Sequence, residues 1–220
     1  MTNLTLSIPD DLYEEMKKHP EIRWSEVARQ AVWRKLEDLR RLDELLAPNR
    51  PTEDNVAERG RHVKKAVWKD IGRSRPQALG DALKVVVDAN VLIAALLRDS
   101  TTRKLIVLGG MELHAPRYLL EEVEAHWEEL TARSGVAIAA LRAAMRTLRG
   151  YLIEHGPEEY EQQLEKAEAM LQDVDVQDAP YVALALAIGA DSVWSEDRAL
   201  TRVRGLRVVR TADLVRRAAE

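Results

Sequence analysis

The stretch LKVVVDANVLIAALL, residues 83–97, constrains the fold more than any other part of the chain. Residues 85–87 form a short apolar run of the kind that parallel sheets bury on both faces, and a second apolar run follows at 91–97. Asp88 stands between the two runs. Because an unpaired buried charge is costly, Asp88 is either a cap or turn residue, or it faces something positive at the carboxyl end of a strand.

Composition excludes several classes of protein. A hydrophobic share of 46% in 220 residues supports a proper core. The net charge of −4 mixes both signs, which argues against global attraction to nucleic acid but leaves local patches open. The chain has no cysteine, so disulfides, thiol nucleophiles and Cys-ligated zinc are excluded. The polar N-terminus and the lack of a long apolar run predict a cytoplasmic protein with no signal peptide and no membrane partner.

Residues 1–46 are predicted to fold as a strand and two helices. Leu4, Leu6 and Ile8 alternate with polar residues, which is the pattern of a strand, and a short helix follows Pro9. Ser25 is the expected N-cap of a longer helix. The apolar residues of that helix are three or four apart and form one stripe: Ala28, Val32, Leu36, Leu39, Leu42 and Leu46. A unit this small cannot bury a core alone, so it should dimerise.

Residues 47–82 contain several Pro and Gly residues around a basic, helix-like segment and form a predicted tail and linker. From residue 83 to 220 the pattern becomes α/β. Strands are expected near 84–87, 112–115, 192–197 and 206–211, with helices between them, including runs at 136–150 and 158–172. This alternation predicts a mainly parallel sheet with helices on both faces.

Four acidic residues are candidates for chemistry at the carboxyl ends of these strands, where ligands of such sheets bind. Asp88 and Asp197 each follow an apolar strand, Asp178 opens an apolar helix, and Glu122 lies in the helix of PRYLLEEVEAH. Singly, each has an ordinary interpretation: a turn residue, a helix cap or an acid on a solvated face. Together they suggest clustered carboxylates, whose repulsion a hard cation such as Mg²⁺ or Mn²⁺ would relieve.

Four segments in order, VVVDANVLIAALL, APRYLLEEVEAHWEEL, DVDVQDAPYVALALAIGADSVWSEDRAL and LRVVRTADL, resemble the PIN domain. The resemblance implies a PIN-type α/β/α fold that hydrolyses RNA phosphodiesters with Mg²⁺ or Mn²⁺. It assigns the acidic quartet of the family to Asp88, Glu122, Asp178 and Asp197. It further implies Asp175 as an accessory acid, and Ser195 as a residue that orients a carboxylate or water.

Residues 1–46 resemble the ribbon-helix-helix antitoxins, in which two chains pair their strands into a ribbon that enters the DNA major groove. The resemblance implies a homodimer bound to operator DNA. The outward strand residues Asn3, Thr5 and Ser7 would contact bases, while Ser25, at the start of the second helix, and Arg23 would contact phosphate. The alternative is a dimerisation ribbon that does not bind DNA.

The segment TEDNVAERGRHVKKAVWKDIGR resembles the toxin-wrapping tail of VapBC antitoxins, so the chain is interpreted as an antitoxin fused to a PIN toxin. Written as a helix, residues 56–73 place Arg59 and Lys64 at the edges of an apolar stripe, from which Arg59 would enter the acidic groove and inhibit the nuclease. Two other functions stay open. One is a transcriptional regulator with a non-catalytic PIN domain, and the other is a structure-specific DNA nuclease.

Overall fold

The structure is a computed structural model that describes residues 5–47, 83–97, 100–172 and 174–218. Asn3, Arg59, Lys64 and most of the predicted tail lie outside these residues. Within them, no helix is long and apolar enough to cross a membrane.

A five-stranded, fully parallel sheet forms the centre of the molecule, with the strand order β3-β2-β1-β4-β5. Parallel strands need crossover connections, and helical segments occupy each of them. The strands are β1 (Lys84–Val87), β2 (Glu112–Pro116), β3 (Leu152–His155), β4 (Ser192–Trp194) and β5 (Val208–Val209). The predicted parallel α/β architecture is confirmed.

Ten α-helices are found in the described residues. Two precede the sheet: α1 (Asp10–Lys17) and α2 (Trp24–Leu45). The others lie between or after the strands: α3 (Ala89–Leu97), α4 (Ser100–Leu108), α5 (Tyr118–Ala125), α6 (Trp127–Ser134), α7 (Ile138–Arg149), α8 (Leu164–Met170), α9 (Ala179–Ile188) and α10 (Thr211–Ala218). Short 3-10 turns occur at Pro157–Glu159, Glu161–Gln163, Val176–Asp178 and Leu200–Arg202.

The core surrounds β1. Residues 85–87 point alternately to the two faces of the sheet and all three are fully buried, so both faces are covered. Helix α9 packs on β1, β2 and β4. It is apolar all round, as expected of a helix inside a core, and it ends at Gly189, whose φ of +60° is the left-handed conformation that favours glycine.

The sequence interpretation was wrong at three places. The strand β3 was not predicted, and residues 158–172 form two 3-10 turns before the short helix α8 rather than one helix. Ser25 does not cap α2: the helix begins at Trp24, and the preceding Arg23 makes no side-chain cap. Residues 5–8 are not paired as a strand in this single chain, so their strand stays a prediction for the dimer. A ribbon strand needs hydrogen bonds from a second copy, so the chain alone cannot satisfy it.

The carboxyl half of α2 packs on the sheet domain, defined here as residues 83–218. Leu39, Leu42 and Leu46 are buried in the same core as the strands, where α2 contacts α4 and α7. The predicted stripe of α2 therefore has a partner within the chain over its last three residues.

Polar contacts surround this apolar contact. The Arg103 guanidinium, buried on α4, donates to the Asp43 carboxylate at 3.0 and 3.2 Å and to the Ala95 carbonyl at 2.6 Å. The Tyr151 hydroxyl donates to Asp38 at 2.5 Å, and the Lys35 ammonium donates to the carbonyl of Val107 at 2.8 Å. Burial lowers the pKa of Lys35. These bonds satisfy groups that the docked helix removes from water, so they also fix its orientation.

The rest of the N-terminal region leaves large apolar side chains in solvent. Val27 and Trp33 on α2 are 47% and 56% exposed, and Leu6, Ile8 and Tyr13 are exposed as well. Trp33 contacts the Arg40 guanidinium, which stacks 5.6 Å from its ring centre. The apolar surface of this region is thus largely uncovered in a single copy.

Candidate active site

Asp88 lies at the carboxyl end of β1, in the middle of the sheet. Its backbone N–H donates to the carbonyl of Trp194 on the neighbouring strand at 3.1 Å, and its side chain is only 3% exposed. The Ser195 hydroxyl and the Asn90 side-chain amide both donate to the same carboxylate oxygen of Asp88, at 2.5 Å. Two donors on one oxygen hold the carboxylate in one orientation.

Ser195 and Asn90 connect Asp88 to the loop after β4. The Ser195 hydroxyl oxygen accepts from the backbone N–H of Asp197 at 3.0 Å, and from the Asn90 amide at 3.2 Å. The side-chain oxygen Oδ1 of Asn90 accepts from the backbone N–H of Glu196 at 3.2 Å. Asp197 accepts through Oδ1 from the N–H of Ala199 at 2.8 Å, a local turn that leaves its second oxygen available.

Glu122 reaches the same edge from α5. It is half-buried, whereas its neighbours Glu121 and Glu124 are exposed. The Tyr181 hydroxyl on α9 donates to its Oε2 at 2.7 Å, and Tyr118 stands edge-on to Tyr181 with ring centres 6.5 Å apart. Burial, and then the nearby Glu122 carboxylate, raise the pKa of Tyr181, so this hydroxyl remains a donor at every ordinary pH.

Asp178 precedes α9 but does not cap it. Its side chain makes no cap hydrogen bond to the helix, so the cap interpretation of this residue does not account for its carboxylate. Asp175, one turn earlier, does cap the 3-10 turn, accepting from the N–H of Gln177 at 2.9 Å through Oδ1.

The carboxylates act on one another electrostatically. Burial first, and then the charges of Asp88, Asp175, Asp197 and Glu122, raise the pKa of Asp178 to about 7. Burial, opposed by the hydrogen bonds from Ser195 and Asn90 and assisted by the charge of Glu122, raises the pKa of Asp88 to about 6. The two carboxylates would therefore be stabilised by a cation placed among them.

The donor set of the edge fits a hard divalent cation, because every candidate ligand is a carboxylate oxygen. In the parts of the chain that the structure describes, no three His, Asp or Glu side chains are arranged closely enough to form a metal-binding group as they stand. Asp88, Glu122, Asp178 and Asp197 thus come to one edge from four separate elements, near enough for mutual repulsion, without a closed ligand sphere.

Three contributors to this site were missed in the sequence: Asn90, Tyr118 and Tyr181. The adjacency of Asn90 to Asp88 was the one available signal, because a polar pair in the middle of an apolar run needs partners. The two tyrosines belong to different helices and are 63 positions apart in sequence, so no local pattern predicts that their rings meet.

The residues assigned to DNA contact lie in the N-terminal region. Thr5, Ser7, Arg23 and Ser25 are all exposed. Arg23 and Ser25 flank the first residue of α2, and Thr5 and Ser7 lie in the segment before α1.

Comparison with known families agrees with this architecture. A PIN-domain model matches residues 86–216, which is more than half of the chain, and a ribbon-helix-helix protein model matches residues 4–70. The chain belongs to the PIN-domain family, with an N-terminal ribbon-helix-helix domain in the same polypeptide.

Two mycobacterial proteins are among its relatives: a VapC ribonuclease from Mycobacterium bovis and the ribonuclease VapC9 from Mycobacterium tuberculosis. Each is 31% identical to this chain over 114 residues, which are 52% of this chain and 87% of the relative. The crystal structure of PAE2754 from Pyrobaculum aerophilum superposes with a TM-score of 0.49 at 17% identity, covering 63% of this chain and 91% of that one.

Proposed function

We propose that the sheet domain is a metal-dependent endoribonuclease that hydrolyses RNA phosphodiesters. The observation that carries the proposal is the gathering of partly buried carboxylates at the carboxyl edge of the sheet, where burial first and then mutual repulsion raise the pKa of Asp178 to about 7. Such an arrangement costs folding stability unless a cation balances it. The similarity to VapC ribonucleases supports RNA as the substrate.

In this proposal Asp88, Glu122, Asp178 and Asp197 hold Mg²⁺ or Mn²⁺, with Asp175 as an accessory acid. The bound ion would activate a water and neutralise charge on the phosphoryl oxygens. Ser195 and Asn90 fix the orientation of the Asp88 carboxylate by donating to the same oxygen. Tyr181 fixes Glu122 in the same way from α9. Because these positioning bonds exist before substrate arrives, little reorganisation remains for the reaction itself.

The test is cleavage of single-stranded RNA by the full chain with Mn²⁺, with Mg²⁺ and with excess EDTA. Cleavage with either metal and none with EDTA is the expected result. A pure, folded protein that cuts RNA equally well in EDTA would overturn the metal requirement. A protein that cuts no RNA with either metal, even after Arg59→Ala, would favour a regulator with a non-catalytic PIN domain.

We further propose that the N-terminal region forms a homodimer through residues 4–8 and binds operator DNA. The exposed side chains of Leu6 and Ile8 support pairing with a second copy. Asn3, Thr5 and Ser7 would contact bases, and Arg23 and Ser25 would contact phosphate.

Arg59 and Lys64, which lie outside the described residues, are proposed to inhibit the nuclease by competing with the metal for carboxylate oxygens. A guanidinium binds a carboxylate in a two-pronged manner and is permanently charged. Removal of residues 1–82 would also remove Leu39, Leu42 and Leu46 from the core, so the sharper test keeps the chain whole. Arg59→Ala should raise the Mn²⁺-dependent rate, and Lys65→Ala should not, because a helix over residues 56–73 would place Lys65 away from the apolar stripe. Equal rates for both variants and the wild type would contradict inhibition of the nuclease by Arg59.

A further inference from the structure

A segment rich in arginine connects the active site to β5, the strand at one edge of the sheet. It runs from Asp197 through the 3-10 turn Leu200–Arg202 to the start of β5. Leu200 and Val203 are buried and anchor the segment to the sheet domain. The four exposed arginines in the segment form what is here called the arginine strip: Arg198, Arg202, Arg204 and Arg207.

The four arginines of the strip are exposed to solvent. Among the residues that the structure describes, none of the four forms an ion pair. Some exposed arginines elsewhere do have an acidic partner, as Arg133 does with Glu129 at 3.1 Å and Arg149 does with Glu154. An unpaired surface guanidinium has little electrostatic competition for an incoming phosphate.

The opposite flank of the active site has the opposite charge. Residues 121–129 include five glutamates and no lysine or arginine, and residues 158–168 include five glutamates and one lysine. Residues 198–217 contain seven arginines and one acid, Asp213. A polyanion approaching the carboxyl edge is repelled on the side of α5 and attracted on the side of β5.

The arginine strip begins beside one of the proposed metal-binding carboxylates. Arg198 directly follows Asp197, whose backbone N–H is bonded to the Ser195 hydroxyl. Arg207 precedes β5, and its carbonyl accepts from the N–H of Val193 at the start of β4. The strip therefore extends from the carboxyl edge to the amino edge of the sheet, a distance of roughly 10 Å for strands of three residues.

We propose that the arginine strip binds consecutive phosphates of the RNA strand and thereby directs the strand to the carboxylates at the carboxyl edge of the sheet. The inference rests on the proposed ribonuclease function and adds the surface that holds the substrate. It concerns the phosphate backbone, so the strip contributes affinity without reading sequence. Arg198, Arg202, Arg204 and Arg207 are positioning residues, because none of them touches the reacting phosphorus.

The experiment compares two charge-reversed double variants of the full chain. Arg202→Glu with Arg204→Glu alters the strip, and Arg142→Glu with Arg146→Glu makes the same charge change on the exposed face of α7. Binding of a fluorescent single-stranded RNA is measured in EDTA, where no cleavage interferes. We expect the strip variant to bind at least about 10-fold more weakly than the α7 variant. We also expect its salt slope to fall by about 1 to 2, since each lost phosphate contact removes about 0.7.

Cleavage kinetics with Mn²⁺ provide a second measurement. The loss in the strip variant should fall on KM more than on kcat, since the strip binds phosphate away from the scissile bond. Equal losses in the two double variants would mean that net charge alone is responsible, and the inference would be overturned. A strip variant that keeps RNA affinity but loses affinity for duplex DNA would overturn it in favour of DNA.

The two proposals fail in different ways. If the wild type binds RNA in EDTA through the strip and yet never cleaves it with a metal, the ribonuclease proposal fails while the binding surface stands. If the wild type cleaves RNA and the strip variant binds as tightly as the wild type, only the strip is refuted.

Discussion

The two halves of helix α2 carry similar apolar patterns but meet different surroundings. In the carboxyl half Leu39, Leu42 and Leu46 are buried against the sheet domain. In the amino half the stripe residues Ala28, Val32 and Leu36 are only partly buried, and Val27 and Trp33, which lie beside the stripe, are about half exposed. Periodicity shows that a helix has an apolar face, but it does not show which partner covers that face. The boundary between partly covered and fully buried apolar surface therefore falls inside one helix.

The largest expected effect is a loss of RNA cleavage by the sheet domain that leaves DNA binding by the N-terminal region unchanged. Asp88→Asn should lower Mn²⁺-dependent RNA cleavage at least about 100-fold, because the proposed metal loses an anionic ligand. DNA binding by the same variant should be unchanged. The matched control is Asp191→Asn at the amino edge of β1, where Asp191 accepts from the N–H of Lys84 at 2.8 Å. A similar loss of cleavage in that control would contradict the assignment of Asp88.

The second prediction tests the boundary within α2. Leu42→Ala should lower the free energy of unfolding by about 3 kcal/mol, because it opens a cavity in the core of the sheet domain. Val27→Ala, in the amino half, should change the stability of a single chain by less than about 0.5 kcal/mol. Urea denaturation at two protein concentrations gives the measurement. Any loss in Val27→Ala should depend on concentration, since it would act through a second copy.

The third prediction concerns stability and pH. The pKa of Asp88 is raised to about 6 in the folded protein, above its unfolded value. Proton binding by this group therefore stabilises the fold fully below about pH 4, and that stabilisation is lost as the pH rises through about 6. In EDTA, Asp88→Asn should equal the wild type at pH 4 and exceed it by about 2 kcal/mol at pH 8.

Thermal unfolding at the two pH values, with and without Mn²⁺, measures this difference. The advantage of the variant should shrink when Mn²⁺ is added, because the ion stabilises only the wild-type carboxylates. A constant difference at both pH values would show that Asp88 is not under electrostatic strain.

The smallest expected effect is in the N-terminal region. Thr5→Ala or Ser7→Ala should change the preference among operator sequences by about 1 kcal/mol, because a lost base contact matters at one position. Arg23→Ala should weaken binding to all duplexes similarly and reduce the salt dependence. RNA cleavage should stay the same in all three variants. Affinities measured on a set of duplexes at two salt concentrations separate these outcomes.

The sequence predicted the sheet because its strongest signals are local. Residues 85–87 have the apolar run of a buried parallel strand, and Asp88, Asp178 and Asp197 each lie at an element end. The strand β3 was missed because it is a short strand at the edge of the sheet, and Ile153 at its centre is exposed. The hydrogen bonds of Asn90 with Ser195 and of Tyr181 with Glu122 join residues more than 50 positions apart, so no local pattern contains them. Docking of Leu42 required a partner that periodicity does not identify.

The uninterrupted course of α2 has a mechanical consequence. Its 22 residues span roughly 33 Å and contain neither glycine nor proline, the residues at which helices usually bend. Asp38 and Asp43 are hydrogen-bonded to the sheet domain at one end of the helix. The helix should therefore move with the sheet domain as one rigid body. A movement of the helix near Trp33 would therefore strain the hydrogen bonds that Tyr151 and Arg103 donate to it. The indole groups of Trp33 and Trp194 should accordingly show one rotational correlation time in NMR relaxation, and two distinct times would reveal a hinge.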